Sequence, residues 1–184
     1  MCCAQSAVPA HPGGSSEGGL GVINNILVAT DFGEASGVAL AYGRKLARSY
    51  NARLHVLHVV EDVEDIILRY TPEVRWMGAD LQKNLEAAAG RTLNAVVAED
   101  YRMAPKAEAI IEKGINPAET IVNYAQGNAI DLVVIGTHGR GAVQHLLMGN
   151  VAERVVRTAS CPVLTVHAHE SDLIDPDLDP PSAD

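Results

Sequence analysis

Residues 131–167 read DLVVIGTHGRGAVQHLLMGNVAERVVRTASCPVLTVH. Asp131–Gly136 is a short, almost wholly apolar run, as expected of a strand covered by helices on both faces. A glycine-rich segment follows, Gly136-Thr137-His138-Gly139-Arg140-Gly141, and further on comes Gly149-Asn150-Val151. Val151, Val155, Val156 and Ala159 then recur at helical spacing and stop before Pro162. Pro162–His167 is apolar again and reads as a second strand. Strand, loop, helix and strand in this order make a βαβ unit, whose strands run parallel.

The same alternation extends towards the N-terminus. Asn25–Thr30 (NILVAT), Arg53–Val60 (RLHVLHVV) and Ala107–Lys113 (AEAIIEK) read as further strands. Ala39, Tyr42, Leu46 and Tyr50 predict one helical face, and Leu81, Leu85, Ala88, Thr92 and Val96 predict another. A helix start is spelled out by Asn116 as N-cap, Pro117 at the first helical position and Glu119 three residues after the cap. The most economical order is βαβαβαβαβ. Glu61–Gly78, with the only tryptophan at Trp76, fits neither period and reads as a surface connection on the sheet edge. Its sharper alternative is a lid or partner contact.

The chain has 184 residues, 47% of them hydrophobic and 20% charged, which fits one globular domain. No apolar run approaches the length of a membrane span, so no membrane partner is expected. The N-terminus lacks the basic start and apolar stretch of a secretion signal. Three cysteines, two of them adjacent at Cys2 and Cys3, make no disulfide framework, and a reducing cytoplasm suits them best. Of the net charge of −9, six negative charges lie in residues 170–184 and one at Glu17, leaving −2 for residues 22–169. Without a clustered basic surface, nucleic-acid binding is not expected. The Gly-, Ser- and Pro-rich residues 1–21 read as a disordered leader, 22–168 as the domain and 169–184 as an acidic disordered tail.

A strand that ends in a glycine-rich loop leading to a helix start suits phosphate. Glycine lets the backbone approach an anion, and the free N–H groups and dipole of the helix start favour negative charge. The spacing is not that of a P-loop or of the dinucleotide fingerprint. It is Gly136, two residues, Gly139, nine residues, Gly149, and in this it resembles the universal stress protein family. Asn25–Asp31 (NILVATD), Leu57-His58-Val59 and Val151–Val166 resemble that family's first strand, second-strand end and closing helix and strand. The resemblance covers residues 22–168. The expected fold is α/β: an open, Rossmann-like, five-stranded parallel sheet of order 3-2-1-4-5 with helices on both faces.

The resemblance implies a site for ATP, or ADP or AMP, with magnesium as a further expectation. Ala29, Thr30, Asp31 and Val59 would hold the adenosine part. Ile135, Gly136, His138, Gly139, Arg140, Gly149, Asn150 and Val151 would complete the nucleotide site, with the glycines and Arg140 at the phosphates and His138 contacting the nucleotide through its backbone. Asn150 stands where nucleotide-binding members carry Ser or Thr, which weakens the expectation of a terminal phosphate and its metal. Local chemistry offers plainer roles. Asp31 with Glu34 reads as an N-cap of the first helix, and Asn150 with Glu153 as a capping box. Gly136 and Gly139 read as a turn needing positive φ. The remaining histidines, His55, His58, His145, His167 and His169, lack metal-ligand spacing. Nothing is placed as a catalytic residue, so the expected activity is regulation of a stress response by binding, with at most weak ATP hydrolysis. A non-binding dimeric module is the alternative. The resemblance also implies a homodimer through Pro162–His167.

Overall fold

The computed structural model of the chain describes residues 22–70, 73, 75–99, 106–137 and 149–168. The expected leader and acidic tail lie outside them. β1 (Asn25–Ala29) is apolar on both sides, with Ile26 and Val28 on one face and Leu27 and Ala29 on the other. A strand of this kind must be covered twice. It lies in the middle of a sheet with β2 (Arg53–Glu61), β3 (Ala107–Gly114), β4 (Leu132–Gly136) and β5 (Val163–Val166). All pairings are parallel and the order is β3-β2-β1-β4-β5, as expected.

The helices are α1 (Glu34–Tyr50), α2 (Val63–Tyr70), α3 (Arg75–Glu99), α4 (Pro117–Gly127) and α5 (Asn150–Thr158). α1 and α3 bury Ile26, Val28, Leu54, Val56 and Val134 under Ala39, Leu40, Ala47 and Leu93. α4 and α5 bury Leu27, Leu57, Val133 and Ile135 under Ile121, Val122, Ala152 and Val155. Each fully buried aliphatic side chain contributes about 1.5–3 kcal/mol, which makes these two layers the main source of stability. A Cβ at Gly43 would overlap Val28 Cγ2, so the glycine lets α1 press closely on β1. No helix among the described residues is long and apolar enough to cross a membrane.

The helical faces depart from expectation. Along α1 the buried side is Ser36, Ala39, Leu40, Gly43 and Ala47, while Tyr50 is exposed. On α3 the expected stripe is displaced by one position. Gly78, Gln82 and Leu93 are buried, whereas Leu81 (46%) and Leu85 (38%) are exposed. Gln82 earns its inward place by polar work: its Oε1 accepts from Val63 N–H at 3.0 Å and its Nε2 donates to Glu86 at 2.8 Å. A count of apolar residues passes over such a position. The stretch Glu61–Gly78 contains α2, started by Asp62 Oδ1 accepting from Asp65 N–H at 3.0 Å, and this helix packs on α3. On α5, Ala152 and Val155 face inward, and Val151 and Val156 are exposed. The start of α4 is as expected, with Asn116 Oδ1 accepting from Glu119 N–H and Pro117 at the first helical position.

One polar pair joins β2 to α4. His55 is 5% exposed, its Nδ1 lies 2.8 Å from Tyr124 Oη, and its Nε2 has no hydrogen-bond partner among the described residues. Burial pushes the imidazole below its ordinary range; Glu108 on β3 opposes this and Arg53 adds to it. Burial, helped by Glu108 and Glu112, pushes the Tyr124 phenol up, so the pair is neutral. Because the folded value is depressed, the unfolded chain takes up the proton first as pH falls. Stability from the neutral ring is intact above the unfolded value of about 6.5 and is lost below it. Urea midpoints should therefore fall further for the wild type than for His55→Phe between about pH 7.5 and about pH 5.5. Equal falls would show that His55 does not carry the dependence.

Candidate functional site

Strand order reverses between β1 and β4. The chain goes from β1 to β2 and β3 on one side, then crosses to β4 and β5 on the other. The loops after β1 and β4 therefore diverge to opposite faces and leave a crevice at the C-terminal ends of the strands. Ala29 is the last rung of β1, opposite Leu57 and Ile135. Val59, half-buried two residues beyond Leu57, shares the α4 and α5 face with Ala29 and Ile135.

Past Ala29 the chain turns sharply. Thr30 N–H donates to Leu57 O at 2.9 Å, and Phe32 has φ 63°, a region that costs a bulky residue about 1–3 kcal/mol. Short bonds hold the turn. Thr30 Oγ1 accepts from Phe32 N–H at 3.0 Å and lies 3.1 Å from Ser36 Oγ. Ser36 Oγ donates to Gly33 O, and Asp31 Oδ1 accepts from Gly33 N–H, both at 2.9 Å. Asp31 thus closes an Asx turn and is not the N-cap of α1. The cap is Gly33, whose extended backbone carries no side-chain cap bond. His58, which lacks metal-ligand spacing, enters here unforeseen, with Nδ1 2.8 Å from Thr30 O and its ring 4.3 Å from that of Phe32. Its signal was positional: it lies near the C-terminal end of β2, the strand next to β1.

On the other side Gly136 ends β4 opposite Val166. A Cβ there would lie 2.7 Å from Ala35 C and 2.9 Å from Ser36 N. No described glycine has a positive φ, so at Gly136 close approach of the first turn of α1 replaces the turn reading. Thr137 is 2% exposed and fully engaged. Its N–H donates to Val166 O at 2.8 Å, its carbonyl accepts from Gly149 N–H at 2.5 Å, and its Oγ1 lies 2.9 Å from His167 Nδ1. The chain leaves at Thr137 and returns at Gly149 through one hydrogen bond. His138, Gly139 and Arg140 lie outside the described residues.

Gly149 is the N-cap of α5, extended at φ −71° and ψ 151°, and its carbonyl accepts from Glu153 N–H at 2.9 Å. Asn150 is therefore the first helical residue, exposed, and no capping box forms. The bond to Thr137 helps hold Gly149 in the extended conformation, one residue earlier than the box requires. Val151 follows, also exposed. α1 and α5 thus both start at the crevice behind glycine caps without a side-chain bond, whereas α4 has Asn116. Their first N–H groups carry the positive end of each helix dipole. Among the described residues no group of three or more His, Cys, Asp or Glu could hold a metal ion.

Gly136→Ala should lower stability by about 1–3 kcal/mol, the cost of overpacking against backbone. The measurement is the urea midpoint at unchanged m-value. Gly37→Ala is the control, because a Cβ there meets nothing within 4 Å. Equal midpoints for the two variants would remove the packing reason for Gly136.

The chain matches the Universal stress protein family over residues 23–167. It is 35% identical over 145 residues to a Thermus aquaticus protein named "Universal stress protein in QAH/OAS sulfhydrylase 3'region", covering 79% of this chain and 99% of that one. The solved universal stress protein UspA of Lactobacillus plantarum is 28% identical with a TM-score of 0.71, covering 80% of this chain and 99% of its own. The universal stress protein of Archaeoglobus fulgidus solved with dAMP is 20% identical with a TM-score of 0.53, covering 79% and 98%, a likeness of fold alone. Matched along its whole sheet, from the residues before β1 to the end of β5, this chain belongs to the universal stress protein family.

Proposed function

We propose that the protein binds an adenine nucleotide in the crevice between β1 and β4 and acts as a stress-response regulator through binding. The observation that carries this is the pair of helix starts, at Gly33 and Gly149, that flank the crevice without side-chain caps. Backbone N–H groups in that state favour phosphate. A nucleotide, dAMP, is held by the related protein of Archaeoglobus fulgidus. Ala29, Thr30, Asp31 and Val59 lie on the β1–β2 side, and we assign them to the base and sugar. Ile135, Gly136, Gly149, Asn150 and Val151 belong to the β4–α5 side, and His138, Gly139 and Arg140 lie between them in sequence; we assign all of these to the phosphate part. Arg140 adds a guanidinium suited to phosphate oxygens. Asn150, exposed on the first turn of α5, offers an amide where a hydroxyl would serve a metal better.

Titration calorimetry with AMP, ADP and ATP, with and without magnesium, tests this reading. Affinity should tighten from AMP to ATP as phosphate is added. Absence of heat with all three would overturn it and favour an interaction module that binds no nucleotide.

The β5 edge supports a homodimer through Pro162–His167. β5 pairs with β4 on one side, and among the described residues no strand covers its other side. Val163 and Leu164 are half-buried, and an apolar edge of this kind is an association hazard unless paired. Light scattering at about micromolar concentration should give twice the chain mass; a stable monomer would remove the dimer.

A further inference from the structure

The β1 ladder stops at Ala29, so the carbonyl of Thr30 projects past the last rung. Its acceptor is met by Nδ1 of His58 at 2.8 Å. A carbonyl oxygen only accepts, so Nδ1 carries a proton. The same ring lies 4.3 Å from that of Phe32, with 32° between their planes. Phe32 is the residue at φ 63°. One side chain on β2 thus grips both flanks of Asp31: the carbonyl before it and the aromatic ring after it. Without His58 the carbonyl loses its donor and the strained residue loses one of its packing contacts. The turn is then held by its own short bonds alone, and a shift of its backbone carries the Asp31 carboxylate with it.

We infer that His58 is a positioning residue of the nucleotide site, setting the Thr30–Gly33 turn so that Asp31 faces the sugar. The inference rests on the adenine-nucleotide reading above. His58 acts through the turn and need not touch the nucleotide. The contribution is to the adenosine half, so it is common to AMP and ATP.

Two measurements decide it. Nitrogen NMR of 15N-histidine-labelled wild-type protein should report a proton on Nδ1 of His58, and this needs neither a variant nor a ligand. A ring protonated at Nε2 alone, with Nδ1 bare, would overturn the inference. Nucleotide titrations then compare His58→Phe, which keeps the ring without the donor, with His58→Asn, which keeps an amide donor near Nδ1. His58→Phe should weaken AMP and ATP alike by roughly 5- to 10-fold, the worth of one such bond, with His58→Asn regaining part of the loss. A loss confined to ATP, or wild-type affinity in His58→Phe, would overturn the His58 assignment while leaving the site itself standing. Wild-type protein that binds neither nucleotide overturns the functional reading, and the inference with it.

Discussion

Thr137 joins what would otherwise be separate pieces. Its amide meets β5, its carbonyl meets the start of α5, and its hydroxyl meets His167 at the end of β5. A buried residue with three such partners fixes the end of β4 against both neighbours, and the cost of leaving any of them unpaired is about 1–3 kcal/mol. The position of α5 over the sheet follows from this junction. So does the place where the glycine-rich segment leaves and returns.

The opposite wall of the crevice is set by close packing. Gly43 lets α1 settle on Val28, and Gly136 lets the first turn of α1 touch the end of β4. These two contacts carry α1 towards the switch point, where its first N–H groups belong to the crevice. Glycine therefore serves twice: it removes side chains that would hold α1 away, and at Gly33 and Gly149 it starts helices without side-chain caps. A protein built only for stability would place Ser, Asp or Asn at such caps, as α4 does with Asn116.

The sheet was legible because its central strands are largely apolar on both sides, a pattern few other arrangements allow. Strand positions and order were therefore readable from NILVA, LHVLHVV and LVVIG together with the family resemblance. Helix faces were less legible. Gln82 faces inward for its hydrogen bonds and Leu81 and Leu85 face outward, which reverses what hydrophobicity counts predict. α2 was missed because its cap, Asp62, sits among other acids that read as an irregular stretch. Around the crevice, residue types were readable but their local geometry was not. Asp31 and Asn150 both carry capping chemistry, yet each is displaced from the cap by a neighbouring glycine. His58 was hidden because its importance lies in a bond to a main-chain carbonyl, which leaves no spacing signature.

The bond between Thr137 and Gly149 separates the placing of two elements from the length of the chain that connects them. Once the ends of a connection are tied, doubling the chain between them adds only about 0.6 kcal/mol of closure entropy. A change in the length of chain between them therefore adds little closure entropy. The end of β4 and the start of α5 keep their places whatever length of chain joins them.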